Sequence, residues 1–257
     1  MKLVVKVGSQ SILSSDGTLK KNVLSGLVAQ LIELQKKHQV ILVSSGAVGS
    51  GRKVLKQFNR LRLGQSTGEK QLLASLGQPE LMRTYASFFA KNKVMVSQLL
   101  LTKQDFLTRS HRQNIVRLLT EILKYENVIP ILNENDSVAT QELMFTDNDE
   151  LAGLIAKLVG ADKLIILSNI DGVFSHSPED SRAKLISCID SPKAWPKVSA
   201  SKSALGRGGM HSKLITARQV IRAGIDVHIA NMREPRVLLR VVRGEALGTV
   251  IRKSKRK

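Results

Sequence analysis

The chain has 257 residues, 40 of them Lys or Arg against 21 Asp or Glu, for a formal charge of +19. Its one cysteine, Cys188, excludes an internal disulfide, and no apolar run approaches the roughly 20 residues that a membrane-spanning helix needs. A chain this long buries about three quarters of its unfolded surface and needs no metal or disulfide to hold a core, so one large α/β domain in the cytosol is expected.

The opening MKLVVKVGSQ lacks the apolar core and cleavage site of a signal peptide and leads straight into a first strand, Leu3–Val7. Leu24, Leu27, Val28, Leu31 and Leu34 then recur at helical spacing. Val40–Gly46 reads as a second strand ending in a glycine turn, with a helix expected to start after it. A helical pattern over Lys70–Lys91 precedes a third strand, Val94–Gln98, and another over Gln113–Lys124 precedes a fourth, Asn127–Asn133. The helix Glu150–Val159 and the strand Asp162–Asn169 follow. Residues 171–205, with Gly172, Pro178, Pro192 and Pro196 and no helical period, read as hairpins and loops. The helix His211–Ala223 and the strand Ile225–Asn231 complete the pattern. This alternation is that of βαβ units around a mostly parallel sheet. The polar clusters Ser44–Gly46, Asn133–Asp136, Ser168–Asn169 and Asn231 all fall at carboxyl ends of strands, where open α/β sheets bind ligands.

Charge is uneven along this frame. From Tyr125 to Ala156 there is no Lys or Arg, while Glu126, Glu134, Asp136, Glu142, Asp147, Asp149 and Glu150 all fall there. Helix capping accounts for one carboxylate in TDND, and not for the rest. An acidic island with Asn133, Asn135 and Asn148 in a basic protein suggests a polar pocket for a cation, a metal or an ammonium group. The Arg-rich segment Arg233–Arg243 and the tail IRKSKRK make the other end basic, a field that attracts nucleotides, acidic metabolites and nucleic acid alike.

Three glycine loops supply possible anion sites. Lys6 stands inside an apolar strand two residues before Gly8, so it either faces solvent on an edge or faces inward against an anion. The turn at Gly8 and Ser9 would let backbone N–H groups approach phosphate oxygens. SSGAVGSG (Ser44–Gly51) lies between a strand and a helix start. GRGGMHSK (Gly206–Lys213) runs into a helix carrying Lys213, and is not a Walker loop because Ser212 precedes the lysine. Other chemistries lack their motifs: the histidines His38, His111, His176, His211 and His228 are scattered, without HExxH, and there is no GxSxG elbow. Each histidine is expected at the surface or in a loop, with His211 set apart by its place in the glycine loop.

Taken together, VVKVGSQSI, ILVSSGAVGSG, KQLLASLGQPELM, SQLLLT, IPILNENDSVAT, TDNDELAGLIA, ADKLIILSNIDGVF, GRGGMHSKLITA and AGIDVHIAN resemble the amino acid kinase family, and within it the glutamate 5-kinases. NENDSVAT with DND is the most specific part. The resemblance implies a three-layer αβα sandwich around a mostly parallel central sheet, a single kinase domain over residues 1–257 with a substrate-binding part to about residue 160 and a nucleotide-binding part beyond it. It implies transfer of the γ-phosphoryl group of MgATP to the side-chain carboxylate of L-glutamate, the first step of proline synthesis. Lys6, Lys213 and Asp149 would form the catalytic set, the lysines neutralising charge and Asp149 holding them. Ser45, Gly46, Asn133, Asp136, Asp147 and Asn148 would bind glutamate. Lys6, Gly8, Ser168, Asn169, Arg207, Gly208, Gly209, Met210, His211, Ser212 and Lys213 would meet ATP, with Mg²⁺ arriving on the nucleotide and no direct protein ligand. A cytoplasmic dimer or tetramer is implied, with hand-off of product to glutamate-5-phosphate reductase.

The chain departs from the family at three points. Ser168-Asn169 stands where Thr-Asp is usual, Arg207 stands where Thr is usual, and the C-terminal domain of the kind found in RNA-modifying enzymes is expected to be missing. Two other readings compete: a kinase of the same fold acting on another carboxylate or phosphate, such as an N-acetylated amino acid, and a basic RNA-binding protein. Few aromatic residues for base stacking and no nucleic-acid module speak against the last.

Overall fold

A computed structural model describes residues 1–58, 66–139, 144–177, 179–191, 195–196 and 209–252. In chain order these form β1 (Lys2–Val7), α1 (Ser9–Ile12), α2 (Lys21–Gln35), β2 (Gln39–Ser44), α3 (Ala47–Phe58) and α4 (Thr67–Ala90). Next come β3 (Met95–Leu101), a short 3₁₀ turn, α5 (Arg109–Ile122), β4 (Val128–Glu134), α6 (Asn148–Val159) and β5 (Lys163–Ser168). The small strands β6 (Val173–Phe174), β7 (Leu185–Ile186) and β8 (Cys188–Ile189) precede α7 (Met210–Arg222), β9 (Asp226–Asn231), α8 (Val237–Val242) and β10 (Thr249–Ile251).

Eight strands form one sheet in the order β3-β4-β2-β1-β5-β9-β10-β8, and β6 pairs with β7 in a separate hairpin. Every pairing in the large sheet is parallel except β9 with β10. Such a sheet must be covered on both faces, and its central strands therefore read as unbroken apolar runs rather than as alternations. LVVKV and VILVS are buried throughout.

Alternation of side chains assigns each residue to a face. Leu3, Val5 and Val7 pack with the apolar stripe of α2 (Leu24, Leu27, Leu31), with Leu81, Tyr85 and Phe89 of α4, and with α8. Val4 and its neighbours pack with Ile115 and Leu119 of α5, Leu151 and Ile155 of α6, and Ala217 and Val220 of α7. The result is the expected three-layer αβα sandwich. Each fully buried Leu, Ile or Val contributes about 1.5–3 kcal/mol, so the two cores carry the stability.

Two expectations needed correction. The helix pattern over Lys70–Lys91 is real, but α4 begins earlier, at a capping box in which Ser66 accepts from the Glu69 N–H at 3.3 Å and Glu69 accepts from the Ser66 N–H at 2.9 Å, and it runs on through Pro79. His228 is not a surface or loop residue: it is 3% exposed in β9, between the paired strands β5 and β10. Its Nε2 lies 3.2 Å from Lys163 Nζ, and burial, then the charge of Lys163, pushes its pKa down to about 4.

Candidate active site

β1 is the central strand, flanked by β2 and β5, and Lys6 stands near its carboxyl end beside Val43 and Ile166. It is 5% exposed, so the inward-facing alternative is the one realised. A buried ammonium is strongly disfavoured unless paired. The partner is Asp149, the second residue of α6, fully buried, with Oδ1 2.6 Å from Lys6 Nζ. Its other oxygen, Oδ2, lies 2.7 Å from Lys213 Nζ, on the first turn of α7. Two ammonium groups against one carboxylate leave a single positive charge at a buried point, which suits a transferring phosphoryl group.

The pairing depends on how closely α6 and α7 approach. Gly153 lies one turn beyond Asp149, and a Cβ there would stand 2.6 Å from Thr216 Cγ2. With Thr216 opposite, a glycine at this position lets α7 come near enough for Lys213 to reach the carboxylate. The Gly8 turn closes the site from the other side: a Cβ on Gly8 would stand 3.5 Å from Lys6 Nζ.

The charges hold one another in state. Burial pushes the Asp149 carboxyl up, but Lys6 and then Lys213 outweigh it and hold it at about 2. Burial pulls Lys213 down, yet Asp149 and Asp147 together raise it above the ordinary lysine value. Asp147 goes the other way: burial, then the neighbouring charge of Asp149, pushes it up. It is the N-cap of α6, its Oδ1 accepting from the N–H groups of Asp149 at 2.9 Å and Glu150 at 3.1 Å.

Beside this triad runs a series of side-chain amides. Asn133, 2% exposed near the end of β4, accepts on Oδ1 from the Glu134 N–H at 2.9 Å and from Asn148 Nδ2 at 2.9 Å. Asn148 Nδ2 also faces Ser45 Oγ at 2.8 Å and the Ser44 carbonyl at 3.2 Å, which joins the end of β2 to the start of α6. Among the described residues Asn148 Oδ1 has no partner although it is buried, and the same holds for Asp147 Oδ2. Buried acceptors without a donor are rare, and here they leave room for a ligand that donates, such as an ammonium group. Gly46 lies in the turn between β2 and α3, and Asp136 half-buried in the turn after β4.

Ser168 ends β5 opposite Asn231 of β9, and its carbonyl accepts from the Met232 N–H at 2.8 Å. Asn169 follows, exposed, and Asn231 Nδ2 donates to Asp171 Oδ1 at 2.7 Å, so a carboxylate stands at this end of the sheet despite Asn169. Gly209 caps α7, whose first turn carries Met210, His211, Ser212 and Lys213. Arg207 and Gly208 lie outside the described residues. Among the described residues no hydrogen bond or ion pair joins the Ser168–Asn169 group to the lysine triad.

Sequence reasoning missed two residues of this neighbourhood, Gln78 and Tyr85, and counted a third, Glu134, only as part of the acidic island. Gln78 of α4 accepts from Asn133 Nδ2 at 2.8 Å, and Tyr85 shares a hydrogen bond of 2.9 Å with Ser44 Oγ. Glu134, 5% exposed, accepts from the Phe145 N–H at 2.9 Å and so folds the chain back toward α6. The signal for Gln78 was present: a polar side chain on the same helix face as Leu81 and Ala74 needs an internal partner. Among the described residues no group of three His, Cys, Asp or Glu is placed to hold a metal ion, and no helix is long and apolar enough to cross a membrane.

Residues 1–231 match the amino acid kinase family. The chain is 43% identical to the glutamate 5-kinase of Bacteroides thetaiotaomicron over 240 residues, 93% of this chain and 66% of that protein. It is 41% identical to the glutamate 5-kinase of Chlorobaculum tepidum over 251 residues, 96% of this chain and 68% of that protein. It thus spans about two thirds of the length of these relatives. Among solved structures it resembles T. acidophilum isopentenyl phosphate kinase (TM-score 0.69, 14% identity, 98% of this chain and 100% of that one). It also resembles UMP kinase from Ureaplasma parvum (TM-score 0.65, 14% identity, 98% of each chain). On the family match and on the extent of identity to these relatives, the chain belongs to the amino acid kinase family, in its glutamate 5-kinase branch.

Proposed function

We propose that this chain transfers the γ-phosphoryl group of ATP to the side-chain carboxylate of L-glutamate, giving L-glutamyl 5-phosphate and ADP, the first step of proline biosynthesis. A carboxylate oxygen forms the new bond to the γ-phosphorus, and the bond to the β,γ-bridging oxygen breaks with its electron pair leaving on ADP. No proton has to move, so catalysis consists of positioning and charge neutralisation.

The observation that carries this reading is the carboxylate of Asp149 shared between Lys6 and Lys213 at 2.6 and 2.7 Å. In the proposed reaction both lysines neutralise charge on the transferring group, and Asp149 fixes where they stand. The amino acid lies against Ser45, Gly46, Asn133 and Asn148, with Asp136, Asp147 and the free Oδ1 of Asn148 serving its ammonium group. The nucleotide lies over Gly8, Ser168, Asn169 and the start of α7, its phosphates near Gly209 through Lys213. Mg²⁺ supplies further charge neutralisation when it arrives on the phosphates. The residues fit that arrangement, because both oxygens of Asp149 are already taken by ammonium groups. The same reading makes the protein a cytoplasmic dimer or tetramer that hands its labile acyl phosphate to glutamate-5-phosphate reductase.

Trapping the product with hydroxylamine tests the substrate. Hydroxamate is expected with L-glutamate, ATP and Mg²⁺, and not with aspartate or N-acetylglutamate. Preference for the N-acetylated substrate would overturn the assignment of an ammonium subsite.

A further inference from the structure

The proposed chemistry leaves Gln78 without a role, although it is built firmly into the substrate side. α4 meets α3 through two glycines: a Cβ on Gly77 would overlap the Ala47 carbonyl, and one on Gly51 the Leu73 carbonyl. This contact registers α4 on the start of α3, immediately after Ser45 and Gly46. The next residue, Gln78, is 8% exposed, and its Oε1 accepts from Asn133 Nδ2 at 2.8 Å.

Backbone groups dictate which way the amides face. The Glu134 N–H requires an acceptor, so Asn133 Oδ1 turns to it at 2.9 Å. The Ser44 carbonyl requires a donor, so Asn148 Nδ2 turns to it at 3.2 Å. The two side chains join through Asn133 Oδ1 and Asn148 Nδ2, which leaves Asn133 Nδ2 pointing at α4 and Asn148 Oδ1 without a partner among the described residues. Remove the acceptor at residue 78, and Asn133 keeps a buried donor with nothing to receive it. An unpaired buried donor is costly, and the side chain relieves it by rotating, which withdraws Oδ1 from Asn148.

We propose that Gln78 is a positioning residue for the amino-acid substrate: through Asn133 it holds Asn148 so that Oδ1 faces the substrate's α-ammonium group. The inference rests on the glutamate reading above. In this reading Gln78 acts through Asn133, while its own Nε2 has no hydrogen-bond partner among the described residues, and its effect falls on the amino acid and not on MgATP.

The test compares Gln78→Met, which keeps the shape and removes the hydrogen bond, with Gln78→Glu, which keeps an acceptor. Binding of L-glutamate, glutarate and MgATP is measured by calorimetry, and initial rates are measured alongside. Gln78→Met is expected to weaken L-glutamate about 10-fold in both Kd and KM, on the scale of a mispaired buried polar group. MgATP affinity, kcat and the affinity for glutarate, which lacks the ammonium group, should stay within about twofold of wild type. Gln78→Glu should bind L-glutamate within about threefold of wild type. Equal weakening of glutamate and MgATP, equal weakening of glutamate and glutarate, or no change in Gln78→Met would each overturn the proposal. If Gln78→Met does not fold, a 10-fold loss of glutamate affinity in folded Gln78→Glu overturns it instead. A wild-type protein that binds MgATP and not L-glutamate would sink the functional reading itself, whereas wild-type binding unchanged in Gln78→Met sinks only the role of Gln78.

Discussion

Lys6 and Lys213 lie near opposite ends of the chain, yet their ammonium groups share one carboxylate, that of Asp149, at 2.6 and 2.7 Å. The first comes from the central strand and the second from the first turn of α7, which follows the glycine-rich sequence GRGG. Asp149 is fully buried between them, so the three form a single electrostatic unit and respond to mutation as one.

Asp149→Asn should therefore be severe. Removing the shared charge leaves two buried ammonium groups side by side, which is expected to lower the unfolding free energy by about 3 kcal/mol or more. Urea titration checks this. A variant as stable as wild type would show that the lysines find other partners.

The pH dependence of stability follows from the same carboxylate. Its folded pKa, about 2, lies below the ordinary 3.8, so its contribution is complete above 3.8 and is lost as pH falls toward 2. Asp147 has the opposite sign: its raised pKa means that folding gains as pH falls through its folded value. Thermal melts of wild type and Asp149→Asn between neutral pH and pH 2 should show a steep acid loss in the first that is reduced in the second. Parallel acid limbs in the two proteins would contradict the assignment.

Asp147 also caps α6, and the two roles separate by substitution. Asp147→Asn keeps an acceptor for the N–H groups of Asp149 and Glu150 while removing the charge, so it should melt no lower than wild type. Asp147→Ala loses the cap and should cost about 1 kcal/mol. Calorimetric melts of both variants decide it, and equal losses would mean that the charge, not the cap, matters.

Much of this architecture was legible because its physics is local. The runs LVVKV, VILVS and LIIL are buried on both faces, and only a covered parallel sheet keeps such runs out of water. The gap in positive charge marked Asp147, Asn148 and Asp149 for the same reason, since six acids between Glu134 and Glu150 exceed what one helix cap needs. That Gln78 needs an internal partner was legible, but which one was not. Its partner Asn133 lies 55 residues away, and only the packing of α4 over β4 brings them together. His228 was misread because nothing in DVHIAN reveals that the short strand β10 closes over that edge of the sheet.

The approach of α6 to α7 offers a test by compensation. Gly153→Ala places a methyl 2.6 Å from Thr216 Cγ2, which should cost about 1–3 kcal/mol and lower turnover by moving Lys213 from Asp149. Adding Thr216→Ala removes the opposing methyl and should restore most of both. A double variant no better than Gly153→Ala would show that the two helices are not limited by this contact.

The central claim is that the lysine pair held by Asp149 carries out phosphoryl transfer to glutamate. The most direct measurement is the rate of glutamate-dependent hydroxamate formation by Lys213→Ala, with circular dichroism confirming the fold. The account predicts a fall of about 100-fold or more, the usual loss when one pre-organised charge-stabilising group is removed. A folded Lys213→Ala variant that turns over at the wild-type rate would contradict it.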